Sequence, residues 1–86
     1  MDKPRVIHSF QKNPEEEVRF SLKDYKERQY LDLRLWFQPS KGGEYLPTKK
    51  GLTLSVEFLP ELKKGVERAG KVAMELALQR PSNSLK

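Results

Sequence analysis

Residues 30–54 read YLDLRLWFQPSKGGEYLPTKKGLTL. Successive side chains of a β-strand point to opposite faces, and residues 30–37 follow that period of two. Leu31, Leu33, Leu35 and Phe37 fall on one side, and Tyr30, Asp32, Arg34 and Trp36 on the other. The first set can bury against a core, whereas the second mixes charges and rings as a solvent-facing sheet surface does. Pro39, Ser40, Gly42 and Gly43 then mark a turn able to visit positive φ. Extended structure resumes over residues 44–46 and is broken by Pro47-Thr48-Lys49-Lys50-Gly51. It returns with Leu52 and Leu54 on the core side and Thr53 outward. A proline and a glycine inside a strand signal an edge, a bulge or a close backbone approach.

Working outward, residues 17–25 (EVRFSLKDY) form a second strand with Val18, Phe20 and Leu22 on one face and Arg19, Ser21 and Lys23 on the other. The polar link 24–28 joins it to the long strand as a hairpin. Residues 6–12 alternate more weakly, as an edge strand does, and Asn13-Pro14-Glu15-Glu16 has turn chemistry. Past Leu54, Ser55 is a candidate N-cap and Glu57 sits in the first turn of a helix predicted over 56–79. Pro60 near its start makes the opening turn irregular. Leu59, Leu62, Val66, Ala69, Ala73 and Leu76 recur at alternating three and four residues, the seam of two helices packed along their length. Phe58 and Val72 widen that stripe toward the sheet, and Arg80-Pro81-Ser82 stops the helix. The expected architecture is α+β: a four-stranded antiparallel meander, curved, followed by one long C-terminal helix. A single domain over 6–80 lies between a flexible tail at 1–5 and a disordered tail at 81–86.

A chain of 86 residues has room for one domain. It buries only about 60–65 % of its unfolded surface, so oligomerisation is the common way to stabilise such a fold without disulfides or a metal. There is no cysteine, no metal-ligand spacing and no glycine-rich phosphate loop. The lone His8 lies on a weak edge strand, and the Glu15–Glu17 run is a solvated charge cluster rather than a tuned acid–base pair. Catalysis is not expected, and neither is a cofactor. No apolar run reaches the roughly 20 residues of a membrane span, which points to a soluble intracellular protein.

The net charge is +5, a balance that favours anionic partners. Lys23, Lys26, Arg28, Arg34, Lys49 and Lys50 come from strands that a meander sets about 5 Å apart, interleaved with Tyr25, Tyr30, Trp36 and Phe37. Cations for phosphates and rings for bases are what a single-stranded nucleic-acid surface needs. The alternative is that Trp36 and Phe37 are core residues and the cations only keep the protein soluble.

At these residues the chain resembles the C-terminal domain of the transcriptional coactivator positive cofactor four and its bacterial and phage relatives. The shared pattern is Asp24-Tyr25-Lys26, Leu31-Asp32-Leu33-Arg34, Trp36-Phe37, Pro47, Lys49-Lys50-Gly51 and LTLSVEFLPEL (52–62), with order and spacing kept over 23–62. The resemblance implies a homodimer through helix and sheet edge, with Leu59, Leu62, Val66, Ala69, Ala73 and Leu76 at the interface. It also implies channels for single-stranded DNA, with little sequence specificity. Tyr25 and Phe37 take the positions of stacking aromatics, and Lys26, Arg28, Arg34, Lys49 and Lys50 those of contacting cations. Lys23 and Trp36 complete the expected DNA-binding set, and which of Trp36 and Phe37 stacks is open. The implied roles are transcription regulation, replication or repair on melted DNA, with the transcription machinery as a partner. The implied location is the nucleoid of a prokaryote or the nucleus of a eukaryote. Glu15–Glu17 departs from the basic rim of the family, and the absence of a serine-rich arm points to the prokaryotic or phage type. RNA binding, or a protein-interaction domain built on the helix seam, are the alternatives.

Overall fold

A computed structural model describes residues 4–79; the expected tails at 1–3 and 81–86, and the helix stop beginning at Arg80, lie outside the described residues. Four strands follow in order: β1 (Arg5–Asn13), β2 (Glu16–Tyr25), β3 (Arg28–Phe37) and β4 (Leu46–Ser55). A 3₁₀ turn (Val56–Phe58) and helix α1 (Leu59–Gln79) complete the chain. The strands form one antiparallel sheet in chain order, the expected meander. β1 begins at Arg5, one residue inside the segment expected to be a tail.

Local chemistry makes each reversal. Asn13 Oδ1 accepts from the backbone N–H groups of Glu15 (3.0 Å) and Glu16 (2.9 Å), so the side chain supplies the acceptor that turns the chain. Between β2 and β3 the turn is just Lys26-Glu27, both left-handed at φ 51° and 64°. Two such residues make the primed turn whose twist matches the flanking strands. β2 and β3 then pair without interruption from Tyr25↔Arg28 to Glu16↔Phe37. Gly42, at φ 81°, allows the tighter bend of the β3–β4 loop.

β4 is an edge strand with an irregularity where its sequence foretells one. Trp36 pairs with Pro47 and Arg34 with Gly51, so Thr48, Lys49 and Lys50 stand opposite Leu35 alone. Thr48 closes the bulge: its hydroxyl donates to the Leu35 carbonyl (2.8 Å) and accepts from the Lys50 N–H (3.1 Å). Gly51 is required because a Cβ there would stand 2.5 Å from the Leu33 carbonyl oxygen and 2.8 Å from Arg34 Cα. The close approach is to the neighbouring strand.

The chain closes little core of its own. Among the described residues only Leu31 and Leu35 are buried apolar residues, while Phe10, Phe37, Leu46 and Leu52 on the same sheet face are exposed. α1 packs chiefly against the 3₁₀ turn that precedes it and not across the sheet. Phe58 and Val72, expected to face the sheet, are exposed instead. Ser55 ends β4 as expected but makes no side-chain capping bond; Pro60 at the second helical position is why the helix opens through a 3₁₀ turn. The radius of gyration is 16.4 Å, against roughly 12 Å for a compact domain of this length.

Candidate nucleic-acid interface

Register assigns the faces. Across the sheet, Lys23 lies beside Tyr30 and Ser55, Ser21 beside Asp32 and Thr53, Arg19 beside Arg34 and Gly51, and Glu17 beside Trp36 and Pro47. Tyr25 and Arg28 continue this face at the hairpin end. The strip from Arg28 to Trp36 is about 27 Å long at roughly 3.4 Å per residue. Of the expected binding residues it gathers Lys23, Tyr25, Arg28, Arg34 and Trp36. Lys26 stands on the turn itself, its Nζ 5.3 Å from the Tyr25 ring centroid. Tyr25 is 48 % exposed, so a ring and a cation sit together at the tip.

Phe37 belongs to the opposite face. It pairs with Glu16 and Leu46 and is 37 % exposed. The charge of Lys50 reaches this end of the sheet: the Glu16 carboxyl is held below its usual range, first by the Asn13 amide and then by Lys12, with a smaller contribution from Lys50. Lys49 and Lys50 are both exposed on the bulge. The cations therefore form two groups, the strip and the bulge at its β4 margin.

Arg34 is engaged internally. Its Nε donates to Asp32 Oδ2 (3.1 Å), Nη2 to Asp32 Oδ1 (2.8 Å) and Nη1 to the Thr48 carbonyl (3.0 Å). Thr53 adds a hydroxyl donor to Asp32 Oδ1 at 2.9 Å. Asp32 is only 7 % exposed. The Arg34 hydrogen bonds, then the Thr53 hydroxyl, hold its carboxyl below the usual range against the opposing effect of burial. The same Asp32 bonds raise Arg34. This network ties β3 to the carbonyl that begins the β4 bulge, and thereby positions Lys49 and Lys50.

Trp36 is not an open stacking platform. The Arg19 guanidinium lies over its ring at 4.3 Å and over the Tyr45 ring at 5.3 Å. Glu17 accepts from Arg19 Nε at 2.7 Å, and Gln11 donates to the Tyr45 hydroxyl at 3.1 Å. The Trp36 Nε1–H is buried and has no acceptor among the described residues. Arg19, Tyr45 and Gln11 were not foreseen as site residues. The alternation of β2 already put Arg19 on the face of Lys23, but its pairing with Tyr45 depends on how the β3–β4 loop folds back.

The expected interface residues all lie on α1. Leu59 and Leu62 are half-buried, whereas Val66 is 65 % exposed and Ala69, Ala73 and Leu76 are exposed. Among the described residues no helix is long and apolar enough to cross a membrane.

The profile of the family described as Transcriptional Coactivator p15 (PC4) matches residues 12–65. A PC4 homolog from Burkholderia pseudomallei, solved in two crystal forms, is 28 % identical to this chain. In the tetragonal form the match covers 79 % of this chain and 98 % of that one, with a TM-score of 0.73. In the orthorhombic form the shares are 81 % and 93 %, and the TM-score is 0.72. A bacteriophage T5 homolog of the eukaryotic coactivator PC4, implicated in recombination-dependent DNA replication, is 19 % identical. It covers 99 % of this chain and 100 % of its own, with a TM-score of 0.59, and shares the fold. Comparison with curated proteins gives no match.

Proposed function

The chain belongs to the transcriptional coactivator p15 (PC4) family, a DNA-binding family, and on that premise we propose that it is a non-catalytic, homodimeric protein that binds single-stranded DNA. The observation that carries this is the strip along one sheet face, where the exposed Tyr25 ring stands beside Lys26 and Arg28 at the hairpin, with Lys23 along it and Lys49 and Lys50 on the bulge at its β4 margin. Rings accept bases of any sequence and cations neutralise phosphates, so the protein holds melted DNA with little sequence specificity. Such binding serves transcription regulation, replication or repair.

The apolar surface that the chain leaves uncovered supports dimerisation. Covering Val66 and Leu76 on two copies gains at most about 6–12 kcal/mol, at roughly 1.5–3 kcal/mol per side chain. Association costs about 4–15 kcal/mol. The helix seam alone therefore leaves a thin margin, and the exposed Phe10, Phe37, Leu46 and Leu52 of the sheet face belong in the interface as well.

Titration with single- and double-stranded oligomers at two salt concentrations tests the function. Neutralising about four to six phosphates gives a slope of log affinity against log salt near −3 to −4, since each phosphate contributes about −0.7 on single strands. Equal affinity for duplex and single strand, or a slope near zero, overturns the proposal.

A further inference from the structure

The Arg19 guanidinium is confined by two rings and a carboxylate. It lies over the Trp36 and Tyr45 rings, and the Glu17 carboxylate limits its rotation by taking Nε at 2.7 Å. Among the described residues Nη1 and Nη2 have no acceptor, and the side chain keeps 23 % of its surface exposed. What remains is a two-donor fork on a confined side chain. Arg34, its neighbour across β3, offers no such fork because Asp32 and the Thr48 carbonyl occupy its nitrogens.

Two kinds of group on a nucleic acid accept a fork: phosphate oxygens and pairs of adjacent acceptors on a base edge. Charge separates them. Glu17 lies 2.7 Å from Arg19, so the pair is neutral overall and has little attraction for a phosphate, while the carboxylate repels one. Directionality survives neutralisation, and a base edge is itself neutral. Guanine presents N7 and O6 side by side, and an unpaired cytosine presents N3 and O2. Adenine and thymine alternate donors with acceptors and satisfy only half the fork.

Resting on the single-strand reading above, we propose that Arg19, held by Trp36, Tyr45 and Glu17, reads base edges and gives the strip a preference for guanine and cytosine over adenine and thymine. The preference is local: stacking and phosphate pairing still carry most of the affinity.

The test is a titration of the full chain with alternating dT-dG, dT-dC and dT-dA oligomers of equal length, with all-dT as reference. A bidentate base contact discriminates by roughly fivefold to 150-fold. The dT-dG and dT-dC oligomers are therefore expected to bind at least about fivefold more tightly than dT-dA and all-dT. In Arg19→Lys, which keeps the charge but loses the fork, those ratios fall to near one. Circular dichroism and Trp36 emission report whether that variant folds. If it does not, Glu17→Gln serves: releasing Arg19 as a net cation steepens the salt slope by about 0.7 and shrinks the preference. Equal binding of all four oligomers overturns the base-reading role and leaves the single-strand reading intact. An order set by ring size, dG and dA above dC and dT, assigns the preference to stacking and also overturns it. If no oligomer binds, all-dT included, the single-strand reading itself falls.

Discussion

Replacing Asp32 by asparagine strikes the one buried charge that joins β3 to the β4 bulge. Asp32 accepts three hydrogen bonds, two from Arg34 and one from Thr53. Asparagine keeps one acceptor oxygen and turns an NH₂ group toward a cationic donor. Hydrogen bonds to charged groups contribute about 1.5–3 kcal/mol, and breaking a fully buried pair costs about 3–5 kcal/mol. Arg34 is still 21 % exposed and keeps the Thr48 carbonyl, so the loss belongs near the lower figures, about 2–3 kcal/mol. For a domain of this size each kcal/mol moves Tm by about 4–8 °C, giving a fall of roughly 8–24 °C at pH 7. Wild type and Asp32→Asn are compared by thermal melts at one protomer concentration, because association raises apparent stability. The gap has a defined pH dependence. The folded Asp32 carboxyl lies below its unfolded value of about 4. Its stabilisation is therefore complete above that pH and is lost as the pH falls through the folded value. The two melting curves should converge in acid. A Tm difference below about 3 °C at neutral pH, or a gap that widens toward acid, refutes the assignment.

Four further outcomes are expected. Gly51→Ala drives a methyl into the Leu33 carbonyl and Arg34 backbone and should destabilise by about 1–3 kcal/mol, read from urea midpoints. Glu27→Gly relieves a left-handed residue in the β2–β3 turn and should stabilise by about 1 kcal/mol, seen as a higher Tm. Lys49→Ala with Lys50→Ala should make the salt slope shallower by about 1.4, two phosphates' worth; an unchanged slope removes both lysines from the contact set. Val66→Glu with Leu76→Glu places charges on the helix stripe and should yield a monomer in sedimentation, with the sheet retained by circular dichroism.

Much of this architecture was legible because pleat and helix periodicities are local. The alternation of residues 30–37 fixes which side chains share a face, and that face is the one on which Asp32, Arg34 and Trp36 meet Thr53, Thr48 and Arg19. Pro47 and Gly51 marked the β4 irregularity through their missing N–H and missing Cβ. The Lys26-Glu27 turn was harder to place, since neither residue is the glycine or asparagine such a turn favours; the strands therefore run one or two residues further than their composition suggested. Phe58 and Val72 misled because periodicity says that a helix has an apolar side, not whether its own sheet or another surface covers it. Arg34 looked like a free cation because charge carries no record of partners. The two-residue spacing from Asp32 does, since residues two apart on a strand share a face. The Arg19–Tyr45 contact had no such local mark: it joins β2 to a loop 26 residues later.

The strictly sequential strand order sets the tempo of assembly. Every strand is laid against the one just made, and two of the three links are two-residue turns, so little chain entropy is spent before pairing is rewarded. Topologies dominated by near-neighbour contacts fold quickly. The helix, barely touching the sheet, takes no part in that early collapse. The sheet is thus complete before the helix has packed on anything, and Val66, Met74, Leu76 and Leu78 stay open to solvent.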